Sequence, residues 1–362
     1  MARVIKHISL HRAADTELRV VADVEDGVLP VIQMEEGVIR GYVQRKHWPH
    51  RWVTLFILED LQPLMRQLPA GGRLPPGDTP ALDDLPVVNA YDLADLSSCH
   101  VFVNRQAMAR HGYWHDRLAI QGLLAHEHAH PLAENATVRA SRSLQLETSW
   151  RNPDGSNAGQ SPAGDGAPLD IEENAHRLWG ALAHKLALVA PREIFTNQVA
   201  VTGGFGEALS YLDQRNLADA RHNLAGRDQL IDQLQQEVAA GRLSRAAADG
   251  LLLFGDLHGY LELAIEVASL YRSGAERAAW ELDSVLETDI FPHLAPEVRP
   301  TYAALRQAYV ALPADLTPLQ LREWAVETLS LLASPLAGKG WSLDYRVQVV
   351  DQHDGTGRVP GI

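Results

Sequence analysis

The chain has a single cysteine, Cys99, in 362 residues. One thiol cannot build an intramolecular disulfide framework, so a reducing compartment is the simplest setting and a cytoplasmic location the expectation. Basic residues are also in short supply. The 32 Lys and Arg face 46 Asp and Glu, giving a formal net charge of -14 and a pI near 5.5. Such a surface repels phosphate backbones, and nucleic acid is not an expected partner. Long apolar runs are missing too. The greasiest windows, 178–190 and 251–271, are each broken by His, Lys, Asp or Glu, short of the about 18 uninterrupted apolar residues that a membrane helix needs, so no membrane partner is expected. Residues 1–10 carry charge and no apolar segment of the kind a secretory signal uses. The rest is ordinary for a globular chain, with 46 % hydrophobic and 22 % charged residues, and its length suits roughly two domains.

Apolar and polar residues alternate through much of the first 60 or so positions, as in 18–24 and 52–58, and this period reads as strands. A turn-rich stretch, 68–78, reads as a surface loop. Residues 99–104 form a short β-rich run, followed by a helix-compatible segment, 114–130. Residues 148–168 are dense in Gly, Pro, Ser, Asn and Asp and read as a mobile loop or disordered insertion. From Leu169 onward apolar residues recur at steps of three and four, as in Leu230, Leu234 and Val238, so the C-terminal half is expected to be mostly α. Residues 341–350 alternate like a strand, and a polar tail follows. The expected fold class is α+β, with a mixed strand and helix N-terminal region over 1–115 that includes an edge strand near 99–104. Metal-binding helices would occupy 116–215, a helical lobe 216–340, and a short strand and tail 341–362.

The chemistry concentrates at His126, Glu127 and His130, which fit H-E-x-x-H. On a helix, positions i and i+4 share a face, so both imidazoles can reach one Zn2+ at about 2.0–2.1 Å. Glu127, one step on, points beside the ion, where it can take a proton from a zinc-bound water and pass it to a leaving amine. Pro131 disfavours helix at the residue before it, so the helix should end at His130. His128 faces elsewhere and reads as a partly buried or surface histidine.

A catalytic zinc needs a third protein ligand and an open position for water. The segment 191–200 is favoured: Pro191 suits a first helical turn, and Glu193 and Asn197 stand at i and i+4. Glu172, Glu173 and His176 compete, although acids at a helix start often serve only the helix dipole. Cys99 and Glu134 remain open. The metzincin extension is excluded because position 136 is Ala136. With His126, Glu127, His130, Glu193, Asn197 and Ala200 in this order, the chain resembles the gluzincin group of zinc metallopeptidases. Thr196 and Val199 depart from that group's second motif. The resemblance implies Zn2+ as cofactor, a peptide or protein as substrate, Glu127 as general base, Glu193 as third ligand and Asn197 in support. It also implies a zincin-like active-site helix and substrate binding along an edge strand. It does not extend to the first 90 residues or the last third of the chain. Cys99 with the H-E-x-x-H run is similar to the arrangement in peptide deformylases, but that family's Gly-rich and Gln-containing motifs are absent.

Residues 255–259, Gly-Asp-Leu-His-Gly, are similar to the first metal motif of calcineurin-like metallophosphoesterases. The later motifs of that family are absent and helical spacing continues past 259, so a helix is the better reading. Tyr211, His222, His258 and Tyr260 could stabilise an oxyanion, yet spacing singles none of them out. Two other readings compete with a peptidase: a helical binding or scaffold protein with a degenerate or structural metal site, and a metal hydrolase of non-peptide bonds.

Overall fold

A computed structural model describes residues 4–45, 48–61, 84–151 and 170–350. The chain is α+β and divides into two compact units. The first holds 1–134 and 196–212, the second 135–195 and 213–352; the span 116–215 is therefore shared between them.

The first unit is built on a five-stranded sheet in the order β1-β2-β3-β5-β4. Its strands are β1 (His7–Ala13), β2 (Thr16–Ala22), β3 (Trp52–Leu58), β4 (Val87–Asp92) and β5 (Asp95–Asn104). β2, β3 and β5 run parallel, and β1 and β4 close the two sides antiparallel. The inward positions Leu18, Val20, Val53, Leu55, Ile57, Cys99, Val101 and Val103 are buried, as period-two alternation requires. The strands expected at 18–24 and 52–58 are thus present, but the first 60 residues are not all strand. Helix α1 (Val28–Gln44) links β2 to β3, with Val28, Val31, Ile32, Glu35, Val38, Ile39 and Tyr42 as its buried stripe. That 3–4 spacing outweighs the local alternation because a parallel β2–β3 pair requires a crossover connection.

Residues 99–104 also differ from expectation. They belong to β5, which lies between β3 and β4 and is not an edge. The turn 92–95 folds β4 back antiparallel onto β5, so β4 takes the edge. Helix α2 (Arg105–Arg110) is capped by the Asn104 side chain, and helix α3 (Arg117–Ala129) by Asp116, which accepts from the backbone of Leu118 and Ala119. α1 and α3 pack together, with the Tyr42 hydroxyl donating to the Ala125 carbonyl at 2.7 Å.

The second unit contains α4 (Ala136–Ser141), the hairpin-like pair β6 (Leu144–Arg151) and β7 (Ser342–Val349), and a long helical series. The series comprises α5 (Asp170–His184), α6 (Ala190–Ala200), α7 (Gly206–His222), α8 (Leu224–Ala239), α9 (Arg245–Tyr260), α10 (Leu263–Arg272), α11 (Glu276–Val285), α12 (Val298–Val310) and α13 (Pro318–Ala337), of which the end of α6 and the start of α7, within 196–212, belong to the first unit. The mostly helical C-terminal region and the strand near 341–350 match expectation. The loop expected at 148–168 does not begin at 148: residues 148–151 pair with β7, because Leu144 and Trp150 alternate inward. Residues 152–168 lie outside the described residues, as do the turn-rich stretch 68–78 and the polar tail. Residues 255–259 lie inside α9, so the Gly-Asp-Leu-His-Gly run is helix. No helix among the described residues is long and apolar enough to cross a membrane.

Candidate metal centre

Helix α3 ends at Ala129, and His130 opens a 3-10 turn, His130–Leu132, with Pro131 inside it. The proline therefore ends the α-helix where its missing N–H and its ring require, and His130 keeps helical dihedrals, φ -51 and ψ -54. The two imidazoles remain on one face, with ring centres 4.7 Å apart and planes nearly perpendicular. Glu127 sits beside them, its Oε2 4.0 Å from His130 Nε2. The edge strand β4 fixes the helix at this residue: the Asn89 side-chain amide donates to the Glu127 carbonyl.

Helix α6 supplies the rest. Its last residues, from Thr196 on, belong to the first unit. His126 Nδ1 donates to Asn197 Oδ1 at 2.7 Å, and His130 Nδ1 is 3.0 Å from the buried Thr196 hydroxyl. Holding both Nδ1 atoms sets the ring orientations and assigns coordination to Nε2, the usual way a protein orients metal-binding histidines. Glu193 lies on the same unbroken helix one turn before Asn197, hence on the same face. Glu193 falls in the second unit, whereas Thr196 and Asn197 fall in the first with the two histidines. Arg192 pairs with Glu193, Nη2 to Oε1 at 3.2 Å.

Pro191 does not open a fresh helix. Residues 185–189 form a π-turn directly before α6, and this widened turn accommodates the ring and missing N–H of Pro191.

No protein-family model, curated protein or solved structure matches the chain.

The other site candidates fall elsewhere. Neither Glu134 nor Cys99 joins the His126–His130 group among the described residues. The side chains of Glu172, Glu173 and His176 lie outside those residues. Tyr211 donates to Asp116, the cap of α3, a role in helix capping. The Tyr260 hydroxyl donates to the Ala220 carbonyl at 3.3 Å, His222 is exposed, and the His258 ring packs against Phe254.

His128 is neither at the surface nor partly exposed. It is 0 % exposed, and its Nε2 lies 2.7 Å from Glu35 Oε1 on α1, also 0 % exposed. Burial pushes the His128 pKa down, but the Glu35 carboxylate and the neighbouring Cys99 together outweigh it and lift the group to about 10. Nearby, burial lowers His50 to about 4, with His128 adding in the same direction, and burial pushes the Cys99 thiol up. The pairing of His128 with Glu35 was missed in the sequence. The one signal available was an acid on the apolar stripe of α1, between Ile32 and Val38.

Proposed function

We propose that this chain is a zinc-dependent hydrolase of peptide bonds. One observation supports it: His126 and His130 stand side by side at the end of α3, with each histidine's Nδ1 already held by a residue of α6, Asn197 and Thr196. Two imidazoles and a carboxylate are a catalytic zinc set that keeps a fourth position for water. In this reading the bound ion supplies the acidity that makes hydroxide available near neutral pH. Glu127 takes the proton of the attacking water and delivers it to the leaving nitrogen. Asn197 and Thr196 hold the imidazoles. The edge strand β4, joined to α3 through Asn89, favours a peptide over other substrates, because an extended chain can pair along a strand edge.

The deciding experiment is metal analysis of the purified full chain beside a peptide-library cleavage assay. Zinc that is lost in a His126→Ala/His130→Ala variant, together with cleavage that zinc restores, supports the reading. A chain that binds no zinc at these histidines overturns it. Zinc bound there without cleavage of any peptide, by an enzyme that hydrolyses other esters or amides, removes the peptidase assignment alone.

A further inference from the structure

The first unit contains a second convergence of metal-binding side chains, distinct from the H-E-x-x-H pair. Cys99 on β5, His128 on α3 and His50 just before β3 are buried at 1 %, 0 % and 2 % exposure. One ligand atom from each lies within 4.8 Å of the others. We propose that His50, Cys99 and His128 form a buried site for a thiophilic metal ion, zinc(II) or copper(I), that ties β5, α3 and the strand-entry segment together.

The hydrogen bonding around the two imidazoles supports it. His50 Nδ1 bonds to the Leu96 carbonyl, so Nδ1 carries the hydrogen and the lone pair lies on Nε2. His128 Nε2 bonds to Glu35 Oε1 at 2.7 Å, which turns Nδ1 inward. His50 Nε2 and His128 Nδ1 are both buried and have no hydrogen-bond partner among the described residues. Histidines that bind metals commonly donate the other ring N–H to a carbonyl or carboxylate, and here one does each.

The surroundings are closed. The Trp48 ring packs edge-on against His50 and His128, at 4.8 and 4.9 Å between centres. Its Nε1 donates to Thr16 Oγ1 at 2.7 Å, and that hydroxyl donates to the His50 carbonyl at 3.0 Å. This chain of contacts fixes the backbone that presents His50. The burial of all three side chains fits an ion acquired as the chain folds. The charge also balances: the Cys99 thiolate and the Glu35 carboxylate together offset a divalent ion, or copper(I) with one proton retained. Cysteine sulfur and imidazole nitrogen select zinc and copper over the hard cations magnesium and calcium.

The test uses the full chain expressed in zinc-depleted medium with added cobalt, since a Co(II)–thiolate bond gives a charge-transfer absorption that nitrogen and oxygen ligands do not. The wild-type protein should show this band at an intensity of about one thiolate bond per protein molecule. The band should persist in the His126→Ala/His130→Ala variant and vanish in folded Cys99→Ser. Protein from medium containing both zinc and copper then identifies the native ion, by whichever metal Cys99→Ser loses. A folded wild-type chain with no thiolate band, and no metal lost on Cys99→Ser, overturns the proposal whatever the outcome at His126 and His130. The wild-type spectrum keeps the test decisive if Cys99→Ser does not fold.

Discussion

At the residue scale, three side chains in the His126–Glu127–His128 run and its neighbour His130 have separate tasks. Spacing alone made two of them legible: His126 and His130 share a face because a helix turns about 100° per residue. Glu127 follows from the same local geometry. Its replacement by Gln keeps shape and removes the proton acceptor, so the Glu127→Gln protein should retain zinc and lose about 10²–10⁴-fold in kcat. Metal analysis and a cleavage assay on the same preparation check this, and full activity would refute the general-base role. Asn197 acts through His126. Asn197→Ala should lower zinc affinity about 10–100-fold, whereas Asn197→Asp, which keeps an acceptor at 2.7 Å from Nδ1, should restore most of it. Competition with a zinc chelator reads both. His128 was the residue least legible in the sequence. Its ion pair joins positions 93 residues apart, and no local period reports a contact of that range.

At the element scale, the position of α3 depends on close approach by α7. A Cβ at Gly122 would meet the Ala208 carbonyl oxygen at 2.8 Å and Leu212 Cδ1 at 2.6 Å. Backbone cannot yield as a side chain can, so Gly122→Ala should destabilise the protein by about 1–3 kcal/mol and weaken zinc binding by displacing His126. Gly37, on α1, has nothing within 4 Å of its Cβ position. Gly37→Ala should therefore stabilise by about 0.5–1 kcal/mol through helix propensity. Denaturant unfolding of the two variants in parallel checks both signs. The edge strand shows the limit of pattern reading at this scale. Alternation identified β5 as a strand, but only pairing with β4 decided which of them lies at the edge, because the hydrophobic period does not encode neighbours.

At the scale of the whole molecule, acid groups buried in the helical unit set a pH dependence. Burial raises Glu266 to about 7, and burial together with Glu266 raises Asp213 well above the ordinary carboxyl range. An unfolded glutamate near 4.5 releases its proton before the folded one does. The native state then holds more protons, and stability falls as pH rises. The contribution is fully present below about 4.5 and lost by about 7. Thermal melts of the wild type across that window should show a falling midpoint. Glu266→Gln keeps an acceptor for the Asn216 amide, which donates to Glu266 Oε1 at 2.8 Å, and should flatten the slope. A wild-type midpoint that rises between those pH values would contradict this assignment.

The sequence by itself determined what depends on near neighbours along the chain: the helix that carries His126 and brings His130 to the same face, its end just before Pro131, the helical character after 170 and the strand near the C-terminus. Each follows from side-chain period or from proline's missing N–H. Tertiary structure decided what depends on distant residues meeting: the hold of Asn197 and Thr196 on the two imidazoles, the inward turn of His128 toward Glu35, and the meeting of His50 with Cys99. The physical reason is range. Backbone dihedrals and hydrophobic period act over a few residues, whereas a polar group buried far along the chain is satisfied only by whatever partner the packed fold brings to it.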